Sequence, residues 1–362
     1  MKIGILTFHR AHNYGAVLQA YALVGYLRDN GHEAEIIDYR QKSIEQAHGT
    51  FPYGRIKKMS FLRRVIYIIK ILPYLVQRRK RAEKFRKFIS SLPKSKRVFY
   101  DTDKTIDGYD FIIVGSDQVW NPKITDGFDP FYTGEISTTA KFISYAASAE
   151  ITPKQEGIAQ YKGFLHNFAR LSVRESLFRD QLQSSTSINI EQVLDPVFLL
   201  DKEKWDSFGI NTFNEKDYIL VYQVKRDDNV LRYAHELAEY NQCSVKEITA
   251  EADIAPLRDR YTTLSPAEFV GAFANAKCVV TTSFHGTAFS CIFRKPFKVM
   301  LFNKPGDYRA VDLLNTLGVT NATIYPSSCG KEKISSFNAP ANMDKMIKQS
   351  KCYLNFHEYD KL

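Results

Sequence analysis

The hydrophobic and polar positions of the chain alternate as they do in α/β proteins. The apolar run at residues 2–8 predicts a strand, and residues 15–30 have the spacing of an amphipathic helix, which Gly31 ends. A second strand at residues 33–38 completes a predicted βαβ unit. The apolar face of the helix consists of Val17, Ala20, Tyr21, Val24 and Leu27.

Further short apolar runs continue this series, and helical stretches separate most of them. Continuous apolar runs of this length suit strands that are buried on both faces of a parallel sheet. They lie at residues 111–115, 142–146 and 171–174 and around Val193.

A second series of the same kind begins near residue 218. Its clearest helix starts at Ser265, where Pro266 occupies the first helical position and Glu268 completes a capping box. The other predicted elements of this series are strands at 218–224, 245–249, 278–282 and 297–302 and helices at 229–240 and 286–293.

These patterns predict an α/β protein with two Rossmann-like, doubly wound parallel-sheet domains facing a central cleft, the plan of GT-B glycosyltransferases. The first domain is predicted at residues 1–200, with a helical arm at 55–90, and the second at 218–340. Residues 201–217 are the predicted hinge. The final segment, 341–362, is predicted to be helical, and packing on the first domain is one option for it.

Length and composition are consistent with this plan. A chain of 362 residues with 44% hydrophobic residues can form two cores. No stretch approaches the roughly 18 consecutive apolar residues of a membrane-spanning helix, and the first residues lack the pattern of a secretory leader. We therefore expect a cytoplasmic protein, with the inner face of the membrane as an option that the helical arm raises.

The cysteines and histidines indicate no metal site. The cysteines are odd in number and form no CxxC pair, which favours reduced packing residues over disulfides or zinc. The histidines are scattered, and no carboxylate cluster has the spacing of metal ligands. The five cysteines are Cys243, Cys278, Cys291, Cys329 and Cys352.

The net charge of +10 is concentrated in the arm. Between Arg55 and Lys87 there are thirteen Lys or Arg residues and one acid, Glu83, which leaves −2 for the rest of the chain. Apolar residues recur at helical spacing among these cations, until Pro73 interrupts them. They are Phe61, Leu62, Val65, Ile66, Ile69 and Leu72.

Two interpretations of the arm stay open. It has the composition of a helix that lies on an anionic membrane surface, and a lipid-linked sugar acceptor would explain it. The alternative is a solvated helical hairpin that packs its apolar side on the first domain. Nucleic-acid binding is disfavoured, because the rest of the chain is slightly acidic and contains no recognised nucleic-acid module.

Two motifs lie at the ends of predicted strands in the first domain. In "HNYGAVLQAYAL", Asn13 precedes a helix whose free amides could meet an anion, although a simple helix cap is the favoured account. In "FIIVGSDQVWNP", Asp117 could accept a proton from a sugar hydroxyl, and Gln118, Trp120 and Asn121 could bind the sugar ring. The alternative is that Asp117 caps a helix and Trp120 fills the core.

Three more motifs contain candidate anion-binding or catalytic groups. In "LSVRES", Arg174 could grip a phosphate or carboxylate, or pair with a nearby acid such as Glu175. In "TTSFHGTAF", Ser283 and a turn at Gly286 would display His285 near a helix N-terminus, where an imidazole can exchange a proton or pair with an anion. In "VLDPVFLL", Asp195 could orient a base, although a turn-forming Asp-Pro is the simpler account.

Taken in order, these motifs resemble the polysaccharide pyruvyl transferase family. The resemblance also includes "ISYAASAE" and "SFHGTAFSCIFRKPF", and it spans roughly residues 1–302. No single motif is specific, but their order and spacing are. The basic arm matches none of the motifs.

The resemblance implies a GT-B-like fold, phosphoenolpyruvate as donor and a sugar with two suitably placed hydroxyls as acceptor, in bacterial surface polysaccharide biosynthesis. It implies donor binding by Arg174 and His285, and it requires no other cofactor. Ser283, Gly286 and Asn13 are the further predicted donor-binding residues, from their positions at the starts of helices. His285 and Asp117 are the predicted catalytic groups. The alternatives are a GT-B glycosyltransferase with a nucleotide-sugar donor and a non-catalytic, membrane-associated scaffold.

Overall fold

The residues form two compact units, and neither is continuous in sequence. A computed structural model describes residues 1–48, 56, 59–150, 158–213, 215–249, 251 and 258–356. The first unit is assembled from Met1–His48, Ser91–Leu200 and Ala341–Leu362, and the second from Gly49–Ser90 and Asp201–Pro340.

The first unit is built on a seven-stranded sheet of order β3-β2-β1-β4-β5-β6-β7. All of its neighbouring strands are parallel. The strands are β1 (Lys2–Leu6), β2 (Glu33–Tyr39), β3 (Lys94–Phe99), β4 (Phe111–Val114), β5 (Lys141–Ser144), β6 (Phe168–Val173) and β7 (Ile190–Gln192).

The second unit repeats this strand order in a six-stranded parallel sheet, β10-β9-β8-β11-β12-β13. In each unit the sheet grows to one side through the first three strands and then to the other side, which is the doubly wound Rossmann order. The strands are β8 (Ile219–Gln223), β9 (Val245–Thr249), β10 (Arg260–Tyr261), β11 (Cys278–Thr281), β12 (Phe297–Met300) and β13 (Thr323–Ile324).

Helices connect the strands of both sheets. In the first unit or at its boundaries they are α1 (Tyr14–Asp29), α2 (Lys42–His48), α5 (Pro122–Thr125), α6 (Pro130–Thr133), α7 (Lys162–Leu165), α8 (Ser176–Gln183) and α14 (Ala341–Tyr353). The others are α3 (Phe61–Ile71), α4 (Leu75–Ser91), α9 (Lys202–Phe208), α10 (Asp228–Tyr240), α11 (Pro266–Asn275), α12 (Phe284–Ile292) and α13 (Tyr308–Leu317).

The predicted fold class, two Rossmann-like parallel sheets, is confirmed. The capping box at the start of α11 is present, with Ser265 accepting from the Glu268 amide and the Glu268 carboxylate accepting from the Ser265 amide. The arrangement of the two sheets about a cleft stays a prediction.

Two features of the predicted domain plan differ from the structure. The predicted hinge contains a helix, α9, whose Trp205 is fully buried. The arm groups with the second unit rather than the first, because Arg81 donates to the Thr262 carbonyl oxygen over 3.1 Å and Lys84 pairs with Glu268 over 2.6 Å. Residues 55, 57 and 58 of the arm lie outside the described part of the chain.

The C-terminal helix α14 belongs to the first unit. The Ser350 hydroxyl accepts from the Leu194 amide over 2.8 Å, and the Tyr353 hydroxyl donates to the Ser144 carbonyl oxygen over 2.9 Å. Residues 357–362 of this segment lie outside the described residues.

The cysteines are all free thiols, but they do not share one environment. Cys278 and Cys291 are buried, as a packing role requires, whereas Cys329 and Cys352 are exposed. The expectation that all five pack in the core is therefore wrong for Cys329 and Cys352.

Candidate functional site

The strand order marks one ligand-binding position in each sheet. In doubly wound sheets, ligands bind beyond the carboxyl ends of the strands where the strand order reverses. The reversal falls between β1 and β4 in the first unit and between β8 and β11 in the second. Asp117 follows β4 and His285 follows β11, so each lies at the switch point of its own sheet.

The backbone beyond β4 needs a glycine. Gly115 has a φ of 118°, and an added Cβ would lie 2.3 Å from the Tyr145 carbonyl oxygen. Ser116 follows it and is completely buried. Its hydroxyl lies 3.0 Å from the Ala146 carbonyl oxygen and 3.2 Å from an Asp195 carboxylate oxygen. The turn beyond β4 is therefore fixed by buried hydrogen bonds.

Arg174 belongs to the same buried network. Its guanidinium donates to Asp195 over 2.7 Å, to Glu175 over 2.9 Å and to the Ser148 hydroxyl over 3.2 Å. The side chains of Arg174, Glu175 and Asp195 are at most 3% exposed. Burial alone would lower the pKa of Arg174, but the charges of Glu175 and Asp195 raise it above its usual value.

The network changes the interpretation of Arg174. Two carboxylates already neutralise its guanidinium. The structure therefore agrees with the second interpretation, in which Arg174 pairs with a nearby acid, and not with the first, in which it is open to an anionic ligand. Asp195 has the turn-forming role considered for it, because its other oxygen accepts from the Val197 amide over 3.1 Å and caps the turn Pro196–Leu199. Its charged partner is Arg174, so no base is oriented by this contact.

Asp117 lies at the edge of this network. It is partly exposed, has a φ of 72°, and accepts from the Gln118 amide over 2.8 Å. It caps no helix, since α5 is capped by Asn121. Its charge contributes to the raised pKa of Arg174. The motif therefore provides a partly exposed carboxylate whose charge acts on a buried arginine.

The predicted role of Trp120 in sugar binding is wrong. Trp120 is 1% exposed, and its indole N–H donates to the Tyr132 carbonyl oxygen over 2.8 Å. Phe164 and Phe168 contact it edge-on, with ring centroids 5.4 and 5.6 Å away. The residue fills the core of the first unit, as the alternative interpretation held.

Asn121 and Asn13 act as helix caps. The side-chain oxygen of Asn121, Oδ1, accepts from the Lys123 amide over 3.0 Å, and its side-chain NH₂ group donates to Gln118 over 2.8 Å. Asn13 is exposed and accepts from the Gly15 amide over 3.0 Å at the start of α1. Gln118 is the partly exposed polar group of the "GSDQVWNP" motif that lies next to Asp117.

In the second unit, Ser283 and Gly286 shape the start of α12. Ser283 is buried and caps the helix by accepting from the Gly286 amide over 3.4 Å. Helix α12 begins at Phe284, so Gly286 lies inside its first turn rather than in a turn before it. An added Cβ on Gly286 would lie 2.2 Å from the Thr281 hydroxyl oxygen, so this glycine lets α12 approach β11 closely.

His285 is the partly exposed polar side chain in the first turn of α12. It is the second residue of α12 and is partly exposed, whereas its neighbours Phe284 and Gly286 are buried. Helix N-termini favour anions, because their amides point outward and the helix dipole is positive there. Ser283 and Gly286 therefore position His285 rather than form a binding surface themselves.

The sequence analysis missed a histidine–aspartate pair in the first unit. His9, which is 1% exposed, lies 3.3 Å from an Asp38 oxygen through Nε2 and 3.2 Å from the Thr7 carbonyl oxygen through Nδ1. Arg40 donates to the other Asp38 oxygen over 3.2 Å. Burial would raise the pKa of Asp38, but hydrogen bonds from His9 and Arg40 hold it well below its usual value.

Further charged groups surround this pair. The Arg10 guanidinium lies 3.7 Å from Asp38 and also pairs with Glu45. Burial lowers the pKa of Lys94, with Asp38 opposing the shift and Arg10 and Arg40 adding to it. A cluster of cations thus lies around one carboxylate at the carboxyl edge of β1 and β2.

The sequence contained a signal for this pair. His9 directly follows the strand predicted at 2–8, and Asp38 is the last residue of the strand predicted at 33–38. The two strands of a βαβ unit are parallel and commonly adjacent, so their carboxyl ends meet at one edge of the sheet.

Among the described residues, no group of three or more His, Cys, Asp or Glu side chains could hold a metal ion. In the same part of the chain, every helix is too short or too polar to cross a bilayer.

The fold and the residues that follow β4 and β11 define the class of this protein. It is an α/β protein of two Rossmann-like units, with polar side chains at the switch point of each sheet. A sequence model of the family described as polysaccharide pyruvyl transferase matches residues 13–300. The chain belongs to this family, and the family is one of transferases of polysaccharide biosynthesis. No curated protein matches the chain in a sequence search.

Solved structures with similar folds are distant in sequence. The UDP-GlcNAc 2-epimerase of Methanocaldococcus jannaschii is 11% identical with a TM-score of 0.48, covering 97% of this chain and 100% of its own. A putative UDP-N-acetylglucosamine 2-epimerase of Listeria monocytogenes is 9% identical with a TM-score of 0.48, covering 99% and 97%. The E. coli ADP-heptose lps heptosyltransferase II is 10% identical with a TM-score of 0.38, and the match covers 97% of this chain and 100% of that protein.

Proposed function

We propose that this protein transfers an enolpyruvyl unit from phosphoenolpyruvate to two hydroxyls of one sugar, forming a pyruvate ketal on a bacterial surface polysaccharide or its precursor. The observation that carries the proposal is the family match over residues 13–300, which includes Asp117, Arg174 and His285. Phosphoenolpyruvate serves as co-substrate, and no other cofactor is invoked.

The reaction needs an acid and then a base. Protonation of the methylene carbon of phosphoenolpyruvate makes the neighbouring carbon electrophilic, and the first sugar hydroxyl adds there and loses its proton. Departure of inorganic phosphate regenerates an electrophilic carbon, which the second hydroxyl attacks as it gives up its proton. A positioned general acid or base contributes about 10²–10⁴-fold to such a step.

His285 is our candidate for the acid or for the partner of the departing phosphate. It is partly exposed at the amino end of α12, where the outward-pointing amides of the helix also favour an anion. Ser283 and Gly286 serve the donor through this position, because they fix the first turn of the helix. Asn13 stands at the comparable end of α1 in the first unit.

Arg174 contacts the donor in this proposal only by exchanging one carboxylate partner for a donor oxygen. Glu175 and Asp195 hold it in the structure, and a carboxylate or phosphate is the chemistry that could replace either. Titration of Arg174→Lys with phosphoenolpyruvate tests this contact. A weakened affinity supports it, and an unchanged affinity in the folded variant assigns Arg174 to the fold alone.

Asp117 is our candidate for the base that takes the proton of a sugar hydroxyl. It is half-exposed beyond β4, and Gln118 next to it offers an amide to the same sugar. Asn121 supports Gln118 by its hydrogen bond, whereas Trp120 supports the motif from the core. The acceptor class that we favour is a lipid-linked glycan.

The direct test is incubation with phosphoenolpyruvate and candidate lipid-linked glycans, followed by mass spectrometry for the added pyruvyl group. We expect His285→Ala and Asp117→Asn to lower the rate by about 100-fold or more. His235→Ala, an exposed histidine on α10, is the matched control and should retain the wild-type rate. Wild-type rates in His285→Ala would contradict the assigned role.

The donor itself is tested by thermal shift. A ligand at 100 times its Kd stabilises the folded protein by about 2.7 kcal/mol, so phosphoenolpyruvate should raise the Tm. Stabilisation by nucleotide sugars instead would favour glycosyl transfer. A scaffold would respond to neither, and its function would survive His285→Ala.

A further inference from the structure

Helix α3, the turn after it and the first turn of α4 expose a series of large apolar side chains. Such contiguous apolar surface commonly marks a binding site in a soluble protein. We call this row the apolar strip; it consists of Phe61 (79% exposed), Leu62 (69%), Ile66 (58%), Ile69 (62%), Leu72 (53%) and Val76 (64%).

The strip occupies one side of the helix. At 100° per residue, the positions of Phe61, Leu62, Ile66 and Ile69 fall within an arc of about 140°. Ile71 lies roughly opposite this arc and is completely buried. The helix thus turns one apolar side toward the protein and a second one away from it, which a merely solvated helix has no reason to do.

The following helix holds the strip in place within the second unit. In α4, Phe85 is fully buried and Ile89 is 6% exposed. The Arg81 guanidinium stacks over the Phe85 ring at 4.8 Å and donates to the Thr262 carbonyl oxygen. Helix α4 is thus anchored from Arg81 onward, while α3, the connecting turn and the first turn of α4 carry the strip.

The charges beside the strip indicate the class of its partner. Arg63 and Lys70 are exposed and lie along one edge of the arc. Lys80 is a further exposed cation, whereas Arg79 pairs over 2.8 Å with Glu83, the single acid between Arg55 and Lys87. A second copy of the helix would bring cations against cations with almost no acid to pair with them. An anionic surface complements the same positions.

We propose that α3 docks on an anionic membrane surface, lying in the plane of the interface with the apolar strip inserted among the lipids and the flanking cations at the headgroups. A short helix with an apolar side and a basic rim is the type of element that binds this way, without spanning the bilayer. Each nearby Lys or Arg strengthens binding to anionic lipid by about fivefold.

The proposal does not depend on pyruvyl transfer, because it rests on exposure and charge in the arm alone. Vesicle binding is measured without donor or acceptor, so its failure leaves the proposed chemistry untouched. If the membrane docking of α3 and the pyruvyl transfer are both correct, the arm would bring the enzyme to a lipid-linked acceptor.

The experiment is co-sedimentation of the full chain with sucrose-loaded vesicles of phosphatidylcholine, with or without phosphatidylglycerol. We expect binding to the anionic vesicles that weakens with salt. Neutralising Arg63→Gln and Lys70→Gln together should weaken it by about 25-fold, at roughly fivefold per cation. The control, Lys96→Gln with Lys277→Gln, removes two exposed cations outside the arm and should bind as the wild type does.

The apolar contribution is tested by the triple change Leu62→Ser, Ile66→Ser and Ile69→Ser. These side chains are exposed, so the variant should keep the wild-type Tm while losing vesicle binding. The matched control is Ile210→Ser, Val224→Ser and Tyr240→Ser, three exposed apolar residues elsewhere in the second unit.

Three outcomes would overturn the proposal. The first is a wild-type chain that stays in the supernatant with anionic vesicles, and the second is a triple-serine variant that binds them as strongly as the wild type. The third is a concentration-dependent dimer in sedimentation velocity that the triple-serine change abolishes while vesicles have no effect, which would assign the strip to a second copy.

Discussion

Arg174, Glu175 and Asp195 form a buried group in which each charge depends on the others. The guanidinium has two carboxylate partners, so the group carries a net negative charge and gains its stability from hydrogen bonds as well as from charge. Ser148 and Ser116 extend it toward the turn beyond β4. A change at one of these residues therefore acts on the position of Asp117 as well as on stability.

Substitution of Arg174 should be costly for folding. We expect Arg174→Ala to lower the free energy of unfolding by about 3–5 kcal/mol, because it leaves two buried carboxylates without their cation. Arg179→Ala, at a half-exposed pair with Asp180, should change it by less than about 1 kcal/mol. Urea unfolding measures both, and equal effects would refute a buried role for Arg174.

Asp38 should make stability depend on acid pH. Its pKa in the folded protein lies below the unfolded value of about 3.9, so its contribution is complete above that pH and is lost as the pH falls. At pH 3 the loss is about 1 kcal/mol relative to pH 5. Asp38→Asn should remove this part of the decline, whereas the exposed Asp344→Asn should leave it in place.

At the scale of elements, the sequence predicted the buried strands and capped helices well. Strand β9 coincides with its prediction at both ends, and the capping box starts α11 as expected. Strands β3, β10 and β13 were missed. They lie at sheet edges, where strands are short or carry charged residues and have no continuous apolar run.

The candidate site could be predicted only in part. Asp117 and His285 follow strands that the hydropathy pattern identifies. Their places at the carboxyl ends of these strands could therefore be predicted from the sequence. The neutralisation of Arg174 was not, because Asp195 lies 21 residues away and the contact depends on packing. Trp120 shows the same limit, since an aromatic residue that fills a core and one that stacks on a sugar have the same hydropathy.

Helix α12 should depend on the absence of a side chain at residue 286. Gly286→Ala would push the helix away from Thr281, and we expect a loss of about 1–3 kcal/mol in stability together with lower activity, because His285 moves with the helix. Gly25→Ala in α1 has open space and should instead stabilise by about 0.5–1 kcal/mol. Chemical denaturation and product assays distinguish the two.

At the scale of the whole molecule, the chain passes from the first unit to the second and back twice. This division was not readable from local patterns. The arm is assigned by contacts such as the one between Arg81 and Thr262, which are 181 residues apart in sequence. Local hydropathy identifies the helices but carries no information about which sheet they pack on.

The last helix should be required for the stability of the first unit. Deleting residues 341–356 and those beyond would remove several buried apolar side chains, each worth about 1.5–3 kcal/mol. We expect the first unit to unfold while the second keeps a cooperative transition, as hydrogen exchange can resolve. Lys345→Ala, exposed on the same helix, should have no such effect. The buried side chains concerned are Met343, Tyr353, Leu354 and Phe356.

The position of α14 also fixes the order of events on the ribosome. Domains usually fold in the order in which they emerge, from the amino terminus onward. Here the first sheet emerges early but must await a helix that is translated only after the entire second unit. At about 5–20 residues per second, the interval from Leu200 to Tyr353 lasts roughly 8–30 s. During that time the hydrogen bonds of Ser350 with Leu194 and of Tyr353 with Ser144 cannot form, so the first unit reaches its final packing only when translation has passed the second unit.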